Sequence, residues 1–213
     1  MTEVVKLRSG EADVARKALE RCIAGGGVAV FPADGLYGLA CDPLDANAIS
    51  KIHRLKGRDD GKPSAVMYFS PLAIRELLSG LGPRTKAVAS ALLPGPVTLV
   101  VDNPHRRYPL ACREDHERLG VRLIGGPLAG TMCPIFQTSA NCSGEPPPAR
   151  FEDVPESILA GVDLAIDGGE LPGLPSTVID VASIDADGSW RVLRDGALSL
   201  GDVKTALASV GLD

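Results

Sequence analysis

The 213-residue sequence predicts one α/β domain built on a single sheet. Apolar segments with helical spacing and short strand-like runs are mixed along the whole chain rather than gathered into separate halves. The length suits one hydrophobic core better than two. No internal repeat is present, and Pro146-Pro147-Pro148 is a stiff loop too short to link domains. Residues 1–213 therefore read as one unit.

The elements follow in order. From Glu11 to Ala24, Val14, Ala15, Ala18, Leu19, Cys22 and Ile23 form one helical face, with Ser9 as candidate N-cap and Gly25-Gly26-Gly27 as the stop. Val28 to Phe31 is a short buried strand closed by Pro32. Asp45 to Leu55 is a second helix, capped by Asp45, with Ala48, Ile49, Ile52 and Leu55 inward and Gly57 in a left-handed terminal position. Ala65 to Phe69 is strand-like. Pro83 opens a helix that reaches Leu92, and Pro94-Gly95-Pro96 breaks the chain before the β-branched strand Val97 to Val101. Gly120 to Ile124, Ile135 to Thr138, Val162 to Ile166, Val178 to Val181 and Trp190 to Leu193 supply further strands. Ser199 to Val210 closes with Leu200, Val203, Leu207 and Val210 on one helical face.

Composition narrows the function classes. The 45% apolar and 23% charged content is ordinary for a globular protein. The first residues lack a basic region followed by an apolar one, and no apolar run approaches the roughly 20 residues a bilayer requires. A soluble, cytoplasmic protein with no membrane partner is the expectation. The five cysteines are scattered without a C-x-x-C pair, which argues against a disulfide framework and a structural zinc site. A net charge of -5 disfavours tight non-specific nucleic-acid binding.

Three stretches carry candidate chemistry. Lys51 to Lys62 concentrates Lys51, Arg54, Lys56, Arg58 and Lys62, and Lys56-Gly57-Arg58 falls at a helix end. Two cations flanking a glycine could clamp a polyphosphate; a solvated helix terminus whose cations complement the dipole is the alternative. Thr138-Ser139-Ala140-Asn141-Cys142-Ser143-Gly144 follows an apolar strand and offers short donors and acceptors, either to a ligand or to its own turn. Arg122 interrupts the apolar run Leu119 to Ile124, and a charge there needs a partner, a ligand or an exposed edge. Ser176-Thr177 precedes one strand and Arg194 follows another. There is no G-x-x-x-x-G-K-[ST] loop, no G-x-G-x-x-G, no H-E-x-x-H and no G-x-S-x-G.

Read in order, these segments resemble the YrdC-like family of threonylcarbamoyl-adenylate synthases. Phe31-Pro32-Ala33-Asp34-Gly35-Leu36-Tyr37-Gly38-Leu39 is similar to the family's Phe-Pro-Thr-x-Thr-x-Tyr-Gly-Leu. The likeness continues through Lys56-Gly57-Arg58, Pro94-Gly95-Pro96-Val97-Thr98, Gly120-Val121-Arg122, Ser139 to Gly144, Ser176-Thr177-Val178 and Leu193-Arg194-Asp195-Gly196, covering residues 10–197. The resemblance implies a twisted mixed sheet with flanking helices around a concave, basic cavity, in the short form without the extra C-terminal domain of longer members. It implies formation of threonylcarbamoyl-AMP and pyrophosphate from L-threonine, bicarbonate and ATP with magnesium. The product would pass to a separate transferase that modifies adenosine 37 of tRNA.

Carried over by position, Lys56 and Arg58 would be catalytic and, with Lys62, would face the ATP phosphates. Ser139, Asn141 and Arg194 would help hold the nucleotide. Gly35, Met67, Arg122, Ser176 and Thr177 would border the threonine site, although the family commonly has threonine at the Gly35 position and often histidine at that of Met67. Two other readings stay open at this point: adenylation of a different carbamate or acyl substrate, and a non-catalytic module contacting tRNA or double-stranded RNA through Lys51 to Lys62.

Overall fold

A computed structural model describes residues 2–7, 11–57 and 63–212. The strands are β1 (Glu3–Lys6), β2 (Ala29–Pro32), β3 (Tyr37–Cys41), β4 (Ala65–Tyr68), β5 (Val97–Asp102), β6 (Arg118–Leu123), β7 (Ile135–Ser139), β8 (Leu164–Asp167), β9 (Thr177–Asp180) and β10 (Arg191–Arg194). The helices are α1 (Ala12–Ala24), α2 (Ala46–Lys56), α3 (Pro71–Ser79), α4 (Pro83–Leu92), α5 (Pro109–Cys112), α6 (Glu156–Gly161), α7 (Ile184–Asp187) and α8 (Leu200–Ala208). The strands form one twisted mixed sheet in the order β1-β8-β2-β3-β7-β4-β6-β5-β9-β10. Pairing is parallel for β4 with β6 and for β5 with β9, and antiparallel for β3 with β7 and β5 with β6.

Strand alternation explains where the core sits. Val97, Leu99 and Val101 of β5, Leu119, Val121 and Leu123 of β6, and Ile179 of β9 are buried in one apolar cluster. Helices α2, α3, α4 and α8 contribute Ile52, Ile74, Val88 and Leu207 to the same cluster, so this face of the sheet is fully covered. The opposite face is covered only in part. There α1 lays Ala15, Ala18, Leu19 and Ile23 against Phe31, Met67, Ile135, Leu164 and Ile166 in a second, smaller cluster. Beyond α1, Thr98 and Val100 of β5, Gly120 and Arg122 of β6, and Val178 and Asp180 of β9 face an open hollow. That bare stretch is the hollow described below.

Local signals account for several boundaries. Asp45 Oδ1 accepts hydrogen bonds from Asn47 N at 2.8 Å and Ala48 N at 3.0 Å, which caps α2 as its sequence suggests. At its other end Gly57 takes φ 61°, a left-handed geometry that favours glycine. One expected inward position differs: Val14 of α1 is 57% exposed. Leu55 packs against the main cluster as expected, and Lys56 beyond it is buried as well. Leu200 also lies outward, because α8 needs only Val203 and Leu207 to seal against α4. Ser9 lies outside the described residues. Burial pushes the thiols of Cys22 and Cys133 up to about 11, in keeping with small apolar roles for them. No helix among the described residues is long and apolar enough to cross a membrane.

Candidate active-site cavity

The uncovered part of the sheet holds a cavity of about 560 Å³. Its floor is hollow because β4 and β6 present Ala65 and Gly120 there, side chains too small to fill the space. Thr98 and Val100 of β5, Arg122 of β6, Gln137 and Ser139 of β7, and Val178 and Asp180 of β9 project from the same face. Arg194 of β10 closes one side. Ala33, Asp34 and Leu36, from the turn between β2 and β3, and Leu174 and Pro175 form the roof.

Arg122 is the most constrained group in the cavity. Its side chain is 6% exposed and pairs with Asp34 Oδ1 through Nη2 at 2.5 Å, while Nη1 donates to Gln137 Oε1 at 3.2 Å. Its Nε and Asp34 Oδ2 are sealed from water and have no hydrogen-bond partner among the described residues. Arg194 is fixed from another direction. Its Nη2 donates to Ser176 O at 2.8 Å and to Ser176 Oγ at 3.0 Å, and its Nε donates to Ser176 O at 3.2 Å. The Ser176 hydroxyl also meets Thr98 Oγ1 at 2.8 Å. Burial, and then the charge of Arg122, hold the Arg194 guanidinium below its usual range. Two cations thus share one hollow, an arrangement that an anionic ligand relieves.

The roof is pinned at two points. The Tyr37 hydroxyl donates to Gly169 O at 2.8 Å and accepts from Gly168 N at 2.9 Å. Burial pushes its pKa up to about 12, so it stays protonated in this double role. Gly173 N donates to Gly35 O at 2.9 Å. The Leu174 carbonyl oxygen lies where a β-carbon on residue 35 would be, so the close approach of these segments requires glycine there.

The structure brings Arg122, Ser139, Ser176 and Arg194 together on the cavity wall. It places the other expected residues differently. Lys56 is 3% exposed, and its Nζ donates to the carbonyl oxygens of Ser139 and Asn141, the latter at 2.7 Å. It therefore props the loop that carries Ser139. Asn141 turns its Nδ2 to Cys142 O at 2.8 Å and Glu145 O at 2.7 Å, holding its own turn. The Thr177 hydroxyl donates to Leu198 O at 2.7 Å and accepts from Leu198 N at 3.0 Å, because its strand position points it away from Ser176. Met67 is fully buried in the α1 cluster: it shares a face with Ala65 but lies one step further along β4, under cover of the helix. Gly35 faces the Leu174 carbonyl rather than open space. Arg58 and Lys62 lie outside the described residues.

Charge is more even than the expected basic cavity. Among the described lining residues, Arg118, Arg122 and Arg194 stand against Asp34, Asp115 and Asp180. Sequence reasoning assigned no role to Asp34, Thr98 or Gln137. The first two lie inside quoted motifs, and the alternation of β5 puts Thr98 on the face opposite Val97 and Leu99.

A sequence model of the Sua5/YciO/YrdC family, described as "Telomere recombination", matches residues 21–196. The chain belongs to this family. The match runs from the end of α1 to just past β10 and so contains every element that lines the cavity. Among individual relatives, the threonylcarbamoyl-AMP synthase of Pyrococcus abyssi is 29% identical over 193 residues, covering 87% of this chain and 55% of the relative. That of Chromohalobacter salexigens is 33% identical over 165 residues, covering 74% of this chain and 88% of the relative. The crystal structure of P. abyssi Sua5 complexed with L-threonine superposes with a TM-score of 0.82 at 27% identity, over 97% of this chain and 60% of that one. The chain thus spans little more than half the length of its P. abyssi relative.

Proposed function

We propose that this Sua5/YciO/YrdC member is an L-threonylcarbamoyl-AMP synthase, a nucleotidyltransferase that joins L-threonine, bicarbonate and ATP and releases pyrophosphate. The observation that carries this reading is the convergence of Arg122, Ser139, Ser176 and Arg194, from four separated motifs, on one hollow in a chain whose relatives bear that name. The chemistry suits such a wall. A carbamate oxygen attacks the α-phosphorus and expels pyrophosphate, a step limited by crowded negative charge and by alignment rather than by a shortage of nucleophile. Fixed guanidinium groups supply the charge. The Ser176 and Thr98 hydroxyls, already bonded to each other, supply short donors that need no reorganisation.

In this reading Ser139 and Arg194 hold the nucleotide, with Arg58 and Lys62 toward its phosphates, while Arg122 and Ser176 meet the carboxylate of threonine or its carbamate. Lys56 acts through the Ser139 loop that it props. Magnesium would arrive on the phosphates. ATP phosphates and water would supply ligands to it, as is usual for magnesium at a nucleotide. The product would pass, in the cytoplasm, to the transferase that modifies tRNA.

The test is pyrophosphate release by the purified chain given ATP, magnesium and bicarbonate, with and without threonine. Release that requires threonine is the expected result. Release independent of threonine, or none, counts against the reading. Because Ala33 on the wall and Gly35 behind it offer no side-chain hydroxyl, the same assay run with other amino acids distinguishes threonine from an alternative substrate.

A further inference from the structure

An ammonium group has no lone pair, so the substrate nitrogen must lose a proton before it can attack carbon. Among the described residues, few groups on the cavity wall can take that proton. Asp180 is committed: Oδ1 accepts from Ala182 N at 3.1 Å, and Oδ2 accepts from Arg191 Nη2 at 3.1 Å. Asp115 is tied to its own turn through Glu117 N at 3.3 Å and lies 3.9 Å from Arg118. The Tyr37 hydroxyl is bonded both as donor and as acceptor. The Cys112 thiol donates to Arg107 O at 3.5 Å. Asp34 differs. Its Oδ1 binds Arg122, while among the described residues Oδ2 has no hydrogen-bond partner, and neither has Arg122 Nε.

Two sealed, unpaired polar atoms on one ion pair carry a free-energy cost that a suitable ligand removes. The complementary ligand carries an anion and an ammonium close together, so that the anion meets Nε and the ammonium meets Oδ2. An α-amino acid has that pattern. Asp34 keeps 23% of its side chain exposed, and the torsion about its Cβ–Cγ bond is soft, so Oδ2 can turn into the cavity at little cost.

We propose that Asp34 accepts the proton of the substrate ammonium group and thereby frees the nitrogen that attacks bicarbonate; this rests on the synthase reading above. The ammonium gives one proton to the Asp34 carboxylate. The lone pair left on nitrogen then attacks the carbon of bicarbonate. One oxygen leaves as water, carrying one proton from nitrogen and the proton of bicarbonate, and a carbamate anion remains beside Arg122. Asp34 later returns its proton to solvent. Among the described residues, Asp34 is faced by Arg122 from β6, with Arg194 of β10 beyond it. Gln137 of β7 and the roof segment 171–176 bring no titratable side chain to it.

The experiment measures threonine-dependent pyrophosphate release from neutral to alkaline pH for the native chain, Asp34→Asn and Asp34→Glu, with ATP binding to each followed by calorimetry. Asp34→Asn should bind ATP as the native chain does and lose about 10²- to 10⁴-fold in turnover at neutral pH. It should recover as pH rises through the pKa of the amine, because free amine then needs no acceptor. Asp34→Glu, which keeps the carboxylate, should retain more neutral-pH activity than Asp34→Asn. Native-like turnover of Asp34→Asn, a loss by the same factor at every pH, lost ATP binding, or no advantage of Glu over Asn would each overturn the assignment. A native chain with no threonine-dependent release would instead sink the synthase reading itself.

Discussion

Burying a lysine ammonium costs several kcal/mol unless its protons find acceptors. Lys56 finds them in the Ser139 and Asn141 carbonyls, so the end of α2 is tied to the loop that carries a cavity residue. Lys56→Met keeps the length of the side chain but strips those carbonyls of their donor. It should destabilise the fold by about 2–4 kcal/mol, read from urea unfolding. A change within about 0.5 kcal/mol, the range of a surface substitution, would contradict the bracing role. Single residues were unevenly legible. Arg122 stood out because a charge in an apolar strand demands an explanation, and it proved to have Asp34. Asp34 did not stand out, because its partner lies 88 residues away and no local pattern records that. The placement of Thr177 and Met67 was hidden for a related reason: their motifs reach the cavity, but strand alternation and the cover of α1 turn these two side chains elsewhere.

Helix α4 makes the same point at the scale of elements. Pro83 marks its start in the sequence, yet its cap comes from Asp185 of α7. That carboxylate accepts from Arg84 N at 2.8 Å, Thr85 N at 3.1 Å and Thr85 Oγ1 at 2.6 Å. Burial pushes the Asp185 pKa up, but the hydrogen bonds from the Thr85 hydroxyl and the two amides outweigh it, so the group sits below the usual carboxylate range. Its contribution is therefore fully present above the pKa of an unfolded aspartate and is lost as pH falls through the lower folded value. Asp185→Ala should cost about 2 kcal/mol near neutral pH, since it removes a cap and leaves the buried Thr85 hydroxyl unpaired. The deficit relative to the native chain should shrink in strong acid; urea titrations at both pH values check this, and an equal deficit would contradict it. Elements with their own punctuation, such as α2 between Asp45 and Gly57, were readable. Strand β3 was not, since Tyr37–Cys41 is buried throughout and shows no alternation. Helix α3 was overlooked despite Ser70 and Pro71, whose signals are a side-chain cap and a proline in the first turn.

For the whole molecule, the cavity exists because helices pack along one sheet face, while on the other α1 covers only the part around β2, β4, β7 and β8 and loop segments roof the rest. The mixture of strands and helices in the sequence announced a single sheet. It could not say which face would stay bare, because that depends on strand order, and β9 reaches β5 only through a pairing across the chain. The bare stretch is what lets guanidinium groups from β6 and β10 face one space. A crystal structure with L-threonine and a non-hydrolysable ATP analogue tests this most directly. Both ligands should lie against the uncovered face, with the amino acid at Arg122 and Ser176 and the nucleotide at Ser139 and Arg194. Ligands seated on the helix-covered side, or a bare face left empty at saturating concentrations, would contradict the account.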